Sequence, residues 1–215
     1  MPQSKRVTSL AFLVILCMSG FLFSRTDGNQ PVWGDDIFFL DYMGLGEEGY
    51  LVTAAHRGFL AYFYHALHSL LGRDPQKTHL FFFFLLVASG LLFYLTLNQF
   101  LEARASLAGA LFYLAYFGKV ETVAWLSAGG YLVLAIVFLL SVFIALRWAD
   151  KPWMAAITIT ILNWLAVHLY ELLIVAAPLY PILVFAHGRL QRTPASARRI
   201  VASCLPLAMF LVHWR

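Results

Sequence analysis

Long apolar runs broken by isolated charges set the pattern of this chain. Residues 7–24, 78–101, 105–118, 122–146, 152–170, 172–188 and 200–214 carry no Asp, Glu, Lys or Arg. A helix needs roughly 20 apolar residues to cross the hydrocarbon core of a bilayer, with a working range of about 17–25. All but the third and the last of these runs meet that length. The stretch 152–188 is interrupted only by Glu171. As one helix it would be about 55 Å long, too long for a single crossing. Two crossings joined near residues 168–171 are predicted instead, with Pro178 and Pro181 tolerated inside a membrane helix.

The distribution of Lys and Arg decides the status of the short third run. With the N-terminus in the cytosol and every run counted as a crossing, the inner segments carry Lys5, Arg6, Arg104, Arg147, Lys151, Arg189, Arg192, Arg198 and Arg199. Such an excess of cations in short cytosolic segments is what the positive-inside rule expects. Without the third crossing, Arg147, Lys151 and the four-Arg segment would face outward. The first run starts basic, as a signal peptide does, but no small-x-small cleavage site follows it, so an uncleaved first helix is expected. The expected fold is therefore an all-α integral membrane protein: one transmembrane domain over residues 1–215 with seven crossings and an outer loop at 25–78.

Composition agrees with this reading. Hydrophobic residues make up 61% of the chain and charged residues 12%, about half the charged share of a soluble domain. The net charge of +4 comes from cations spaced between apolar runs rather than gathered in one patch, which argues against nucleic acid as a partner. Cys17 and Cys204 both sit in apolar runs and form neither a disulfide framework nor a metal-type spacing.

The outer loop holds Asp27, Asp35, Asp36, Asp41, Glu47, Glu48 and Asp74, seven of the eleven acids. A solvated loop accounts for Asp27 and Asp74. Asp35 and Asp36 differ, because they lie in Val32-Trp33-Gly34-Asp35-Asp36-Ile37-Phe38-Phe39, an aromatic stretch suited to the membrane surface. A carboxylate held there is partly desolvated, which suits it to proton transfer. Residues 53–72 read as an amphipathic interfacial helix stopped by Gly72. Phe59, Leu60, Phe63, Leu67, Leu70 and Leu71 fall on one side and Arg57, Tyr64, His65 and His68 on the other. His65 and His68 fit an ordinary polar face better than a metal pair. Lys119, Glu121 and Glu171 sit at the outer ends of crossings, where ionisable groups face a cavity or a partner. Lys119 with Glu121 also fits a plain surface ion pair.

These residues in this order resemble the GT-C superfamily of polytopic glycosyltransferases, its protein O-mannosyltransferase-like members in particular. Trp33-Gly34-Asp35-Asp36 is similar to the element that opens the family's first outer loop. His56-Arg57-Gly58-Phe59 resembles the Arg-Pro at the start of its interfacial helix, with Gly58 in place of Pro. The run from Leu71-Gly72-Arg73-Asp74-Pro75 to His79 resembles the exit into the second crossing. Val120-Glu121-Thr122-Val123-Ala124-Trp125-Leu126-Ser127 is similar to a Thr-Glu-Ala-Val-Ala-Trp segment, without the His-Pro that precedes it in the family. Glu171 with Pro178 resembles a Lys-Glu…Pro pattern, with Tyr170 in the place of Lys.

The resemblance implies transfer of a sugar from a polyprenyl-phosphate donor to an acceptor on the outer face, in a membrane such as the bacterial inner membrane. Asp35 or Asp36 would be the base, with Asp36 preferred. Arg57, then Lys119, would meet the donor phosphate, and Glu121 and Glu171 would orient substrate or hold the base. No cofactor is required, although Asp36, Glu47 and Glu48 offer oxygen ligands to a divalent metal. Membrane lipid is an expected partner, and no protein partner is specified. The family has more crossings, so the chain is expected to be an N-terminal fragment. Two other functions fit the same residues: a transporter or flippase of a lipid-linked intermediate, and an inactive assembly partner. Ionisable residues gathered on one side favour surface chemistry over passage.

Overall fold

A computed structural model of the chain describes residues 5–25, 62–72, 74–116, 128–168, 177–190 and 196–213. Among these residues the regular structure is entirely helical. In chain order the helices are α1 (Lys5–Arg25), α2 (62–71), α3 (Pro75–Leu97), α4 (Ala103–Ala115), α5 (Gly130–Arg147), α6 (Pro152–Val167), α7 (Leu179–Leu190), α8 (Ala197–Ser203) and α9 (Leu205–His213). Each apolar run of the sequence holds a helix, and the last run holds a broken one. Two helices, Gln76–Leu97 and Gly130–Arg147, are both long and apolar enough to cross a membrane. Ser9–Ser24, Ala103–Ala115 and Pro152–Val167 are apolar but shorter.

Local chemistry sets the helix boundaries. Gly72, at φ 73°, donates its N–H to the carbonyl of His68 across 2.8 Å and ends α2 in the left-handed conformation that glycine adopts without strain. Two residues later Asp74 accepts a 2.9 Å hydrogen bond from the N–H of Gln76, and Pro75 occupies the first position of α3. Pro152 starts α6 in the same way. Pro178 precedes α7 and Pro181 lies in its first turn, where no intrahelical N–H bond is lost. Pro206 has no N–H for the carbonyl of Ala202, and the helix breaks at Cys204 between α8 and α9.

The helices form an antiparallel bundle with two distinct ends. At one, the Phe82 end, the Phe23 ring near the end of α1 lies 5.1 Å from that of Phe83 in α3. Gly129, ahead of α5, packs flat against the Phe82 ring. Phe93 of α3 stacks on Tyr113 of α4 at 4.6 Å, so α4 runs back beside α3. At the other, the Arg199 end, the Phe100 ring in the α3–α4 turn meets His187 of α7 edge-on at 5.5 Å. From there α8 and α9 follow α6 back, bringing Leu207 and Met209 against Val167 and Ala177.

The outer faces of the helices are apolar, and a few small polar side chains lie among the apolar residues of the core. Ser19, Ser89, Ser106, Ser141, Asn163 and Ser203 are buried. Leu13, Phe21, Phe84, Phe112, Ile161 and Ile182 stand exposed on the outer faces, Phe112 at 78%.

Candidate functional site

The sequence-predicted site residues Asp35, Asp36, Arg57, Lys119, Glu121 and Glu171 all lie outside the described residues. The described residues that border them are informative. The chain leaves α1 at the Phe82 end and returns there through α2 into α3. It enters α5 at that end through Ala128 and Gly129, and it leaves α6 at His168, whose neighbours Ala166 and Val167 pack near the start of α5 and α7. Residues 26–61, 117–127 and 169–176, which carry the six candidates, are thus each joined to the bundle by at least one described residue at the same end.

A small polar frame is built there. The hydroxyl of Tyr64, a residue only 1% exposed, accepts the N–H of Gly130 at 3.4 Å and ties α2 to the first turn of α5. His79 is buried in α3, and the Nε2 of His68 is enclosed with no hydrogen-bond partner among the described residues. Asp74 caps α3 and lies 3.9 Å from Lys77. Two expectations are corrected here. Tyr64, assigned to the polar side of the interfacial helix, is in the core. Leu70, assigned to the apolar side, is 82% exposed. The buried face of α2 runs through Tyr64 and Leu67, one helical turn apart.

The proposed metal ligands Asp36, Glu47 and Glu48 also lie outside the described residues. Among the described residues no three His, Cys, Asp or Glu side chains converge on one point, and His65 is exposed while His68 is half-buried.

Sequence reasoning did not single out a buried polar ring in the middle of the bundle. Tyr180 of α7 donates to Asn163 Oδ1 of α6 at 2.8 Å, and Asn163 Nδ2 donates to Ser141 Oγ of α5 at 3.1 Å and to the Ile159 carbonyl at 2.8 Å. All three residues are fully buried. An Asn inside the charge-free run 152–170 was the available signal. Each polar atom of its amide is engaged, so the ring holds helices together and offers no free group for chemistry.

Cations gather at the opposite end. Lys5, Arg6, Arg104, Arg147, Lys151, Arg189, Arg198 and Arg199 all fall in first turns, last turns or caps of helices at the Arg199 end, against Glu102 and Asp150. Trp148 and Trp153 flank the α5–α6 turn and are exposed. No protein family, curated protein or solved structure matches the chain.

Proposed function

We propose that the chain is a polytopic membrane glycosyltransferase of the GT-C type, crossing the bilayer seven times with its N-terminus in the cytosol. The observation that carries the membrane part is the collection of eight Lys and Arg residues at one end of a bundle whose sides are apolar. The transferase part rests on the succession of Trp33-Gly34-Asp35-Asp36, Arg57, Glu121 and Glu171, all in segments joined to the end opposite the cations.

In this reading Asp36, or its neighbour Asp35, takes the proton of an acceptor hydroxyl as that oxygen bonds to the anomeric carbon. The bond from that carbon to the polyprenyl phosphate breaks, the phosphate leaves with the electron pair, and the configuration inverts. Arg57, with Lys119 in support, offsets the charge of the leaving phosphate. Glu121 and Glu171 orient the sugar or the base. The donor's lipid tail remains in the bilayer while its sugar projects to the outer face, which requires the base at headgroup depth.

The test is transfer of a labelled sugar from polyprenyl phosphate in membranes holding the inserted protein, beside its Asp35→Asn and Asp36→Asn variants. Loss in one variant with insertion unchanged supports the reading and names the base. Unchanged transfer in both variants removes the assigned base. Absence of transfer by the wild-type protein from common polyprenyl donors leaves the transport of a lipid-linked intermediate as the better reading.

A further inference from the structure

Five exposed cations stand at the Arg199 end of the bundle. Arg104 lies in the first turn of α4, Arg147 ends α5, Lys151 caps α6, Arg189 lies in the last turn of α7 and Arg198 in the first turn of α8. Packing brings these helix ends together. Phe100, in the turn before α4, lies against a core cluster that holds Leu146 of α5, Ala155 of α6 and Val184 of α7. Trp148 and Pro152 meet Arg199 of α8. The cations are spread across this end rather than gathered on one side: α4 packs on α1 and α3, whereas α8 packs on α6 and α7.

Their charge is not offset within the bundle. Glu102 and Asp150 are exposed at the same end, yet among the described residues neither is ion-paired with any of the five. The ion pair those residues hold joins Lys77 to Asp74 at the opposite end. Arg189 lies over the Phe185 ring at 5.1 Å, a contact that leaves its charge in place. Arg199 is not one of the five, because it is turned inward: its Nη2 is enclosed and has no hydrogen-bond partner among the described residues. Like charges held together without counter-charge repel one another, and an anionic partner relieves that repulsion. Large apolar side chains stand exposed among the cations: Trp148 next to Arg147, Trp153 two residues past Lys151, and Leu190 next to Arg189.

We propose that this end docks on a leaflet of anionic phospholipid, whose phosphates accept hydrogen bonds from Arg104, Arg147, Lys151, Arg189 and Arg198. Guanidinium and ammonium groups make charge-assisted hydrogen bonds to phosphate, and a negative leaflet attracts basic residues held at its surface. The spread of the cations selects a lipid layer over an acidic protein, which would meet one side of the bundle. A layer surrounds it and reaches α4 and α8 alike. Trp and Leu beside the cations suit the boundary between headgroups and acyl chains. The inference rests on the membrane reading and does not depend on the transferase.

The experiment starts with an alkaline carbonate wash of membranes carrying the full chain. Release of the chain would sink the membrane reading itself. Retained protein is purified and reconstituted in an equal mixture of phosphatidylglycerol and phosphatidylcholine, and the lipid immobilised around it is measured with spin-labelled forms of each. At low salt phosphatidylglycerol should be enriched about threefold over phosphatidylcholine. In about 1 M NaCl, where screening is nearly complete beyond about 3 Å, the enrichment should fall close to parity. A variant carrying Arg147→Gln, Lys151→Gln and Arg198→Gln should lose more than half of it, while Lys77→Gln, at the opposite end, should keep it. Equal immobilisation of the two lipids at low salt overturns the inference without any variant and makes an acidic protein the better occupant of this end. So does an enrichment that survives high salt, or one that the triple variant retains in full.

Discussion

The phenol of Tyr180 on α7 and the amide of Asn163 on α6 are joined at 2.8 Å, and through Ser141 the pair reaches α5. Three helices therefore share one polar ring that water does not reach. Asn163→Ala removes the amide from both the Tyr180 and the Ser141 hydroxyl and should cost about 1–2 kcal/mol. Tyr180→Phe should cost less, about 0.6 kcal/mol, the mean for such bonds in a membrane bundle. The double variant should lose less than the two added together, because each single change already breaks the same bond. Reversible unfolding in mixed micelles measures all three; strict additivity would mean that the ring contributes nothing as a unit.

Gly129 and Phe82 give a second prediction. A methyl group at Gly129 would collide with the Phe82 ring, so Gly129→Ala should destabilise the bundle by about 1–3 kcal/mol through overpacking. The backbone there is ordinary, with φ −58°, and the cost is one of space. Adding Phe82→Leu should return most of the lost stability, which thermal unfolding of the double variant would register. Failure of that rescue would place the cost elsewhere than in the ring.

Asp74 caps α3 through its bond to the N–H of Gln76. Asp74→Ala should lower stability by about 1 kcal/mol, and Asp74→Asn, which can still accept that bond, should change it by less. Chemical denaturation of the three proteins orders them.

Topology is open to a direct chemical test. In a Cys17→Ser, Cys204→Ser background, Gln76→Cys should react with a membrane-impermeant maleimide in intact cells. Asp150→Cys should react only after the cytosolic face is opened. Both positions are exposed and lie at opposite ends of the bundle. Labelling of both from the same side would break the proposed alternation of crossings.

The positions of the helices were legible from the runs of uncharged residues, and several ends followed from Gly72, Asp74-Pro75 and Pro152. Which side of each helix faces inward was not. A helix whose exterior meets lipid is apolar all round, so periodicity no longer separates Phe112, exposed at 78%, from Leu114, fully buried. The same ambiguity misplaced two residues of α2, Tyr64 and Leu70, while Phe63, Leu67 and Leu71 pack on the core as expected: Tyr64 looks polar by type, yet its ring is buried. For the candidate site, the sequence supplied residue types and order, and all six residues lie outside the described residues. The inward Arg199 could not have been separated from Arg198 by sequence, since both occupy the same basic segment.

Close contact between Gly129 and Phe82 joins α5 to α3 past the intervening α4, which is left packed against α1 and α3 with Phe112 turned outward. During synthesis α3 and α4 can pair as a hairpin as soon as they emerge. The α3–α5 seam cannot close until α5 has also been made. The order of translation and the order of assembly therefore differ at this step, and a chain stopped before α5 would leave the Phe82 ring without the Gly129 backbone against it.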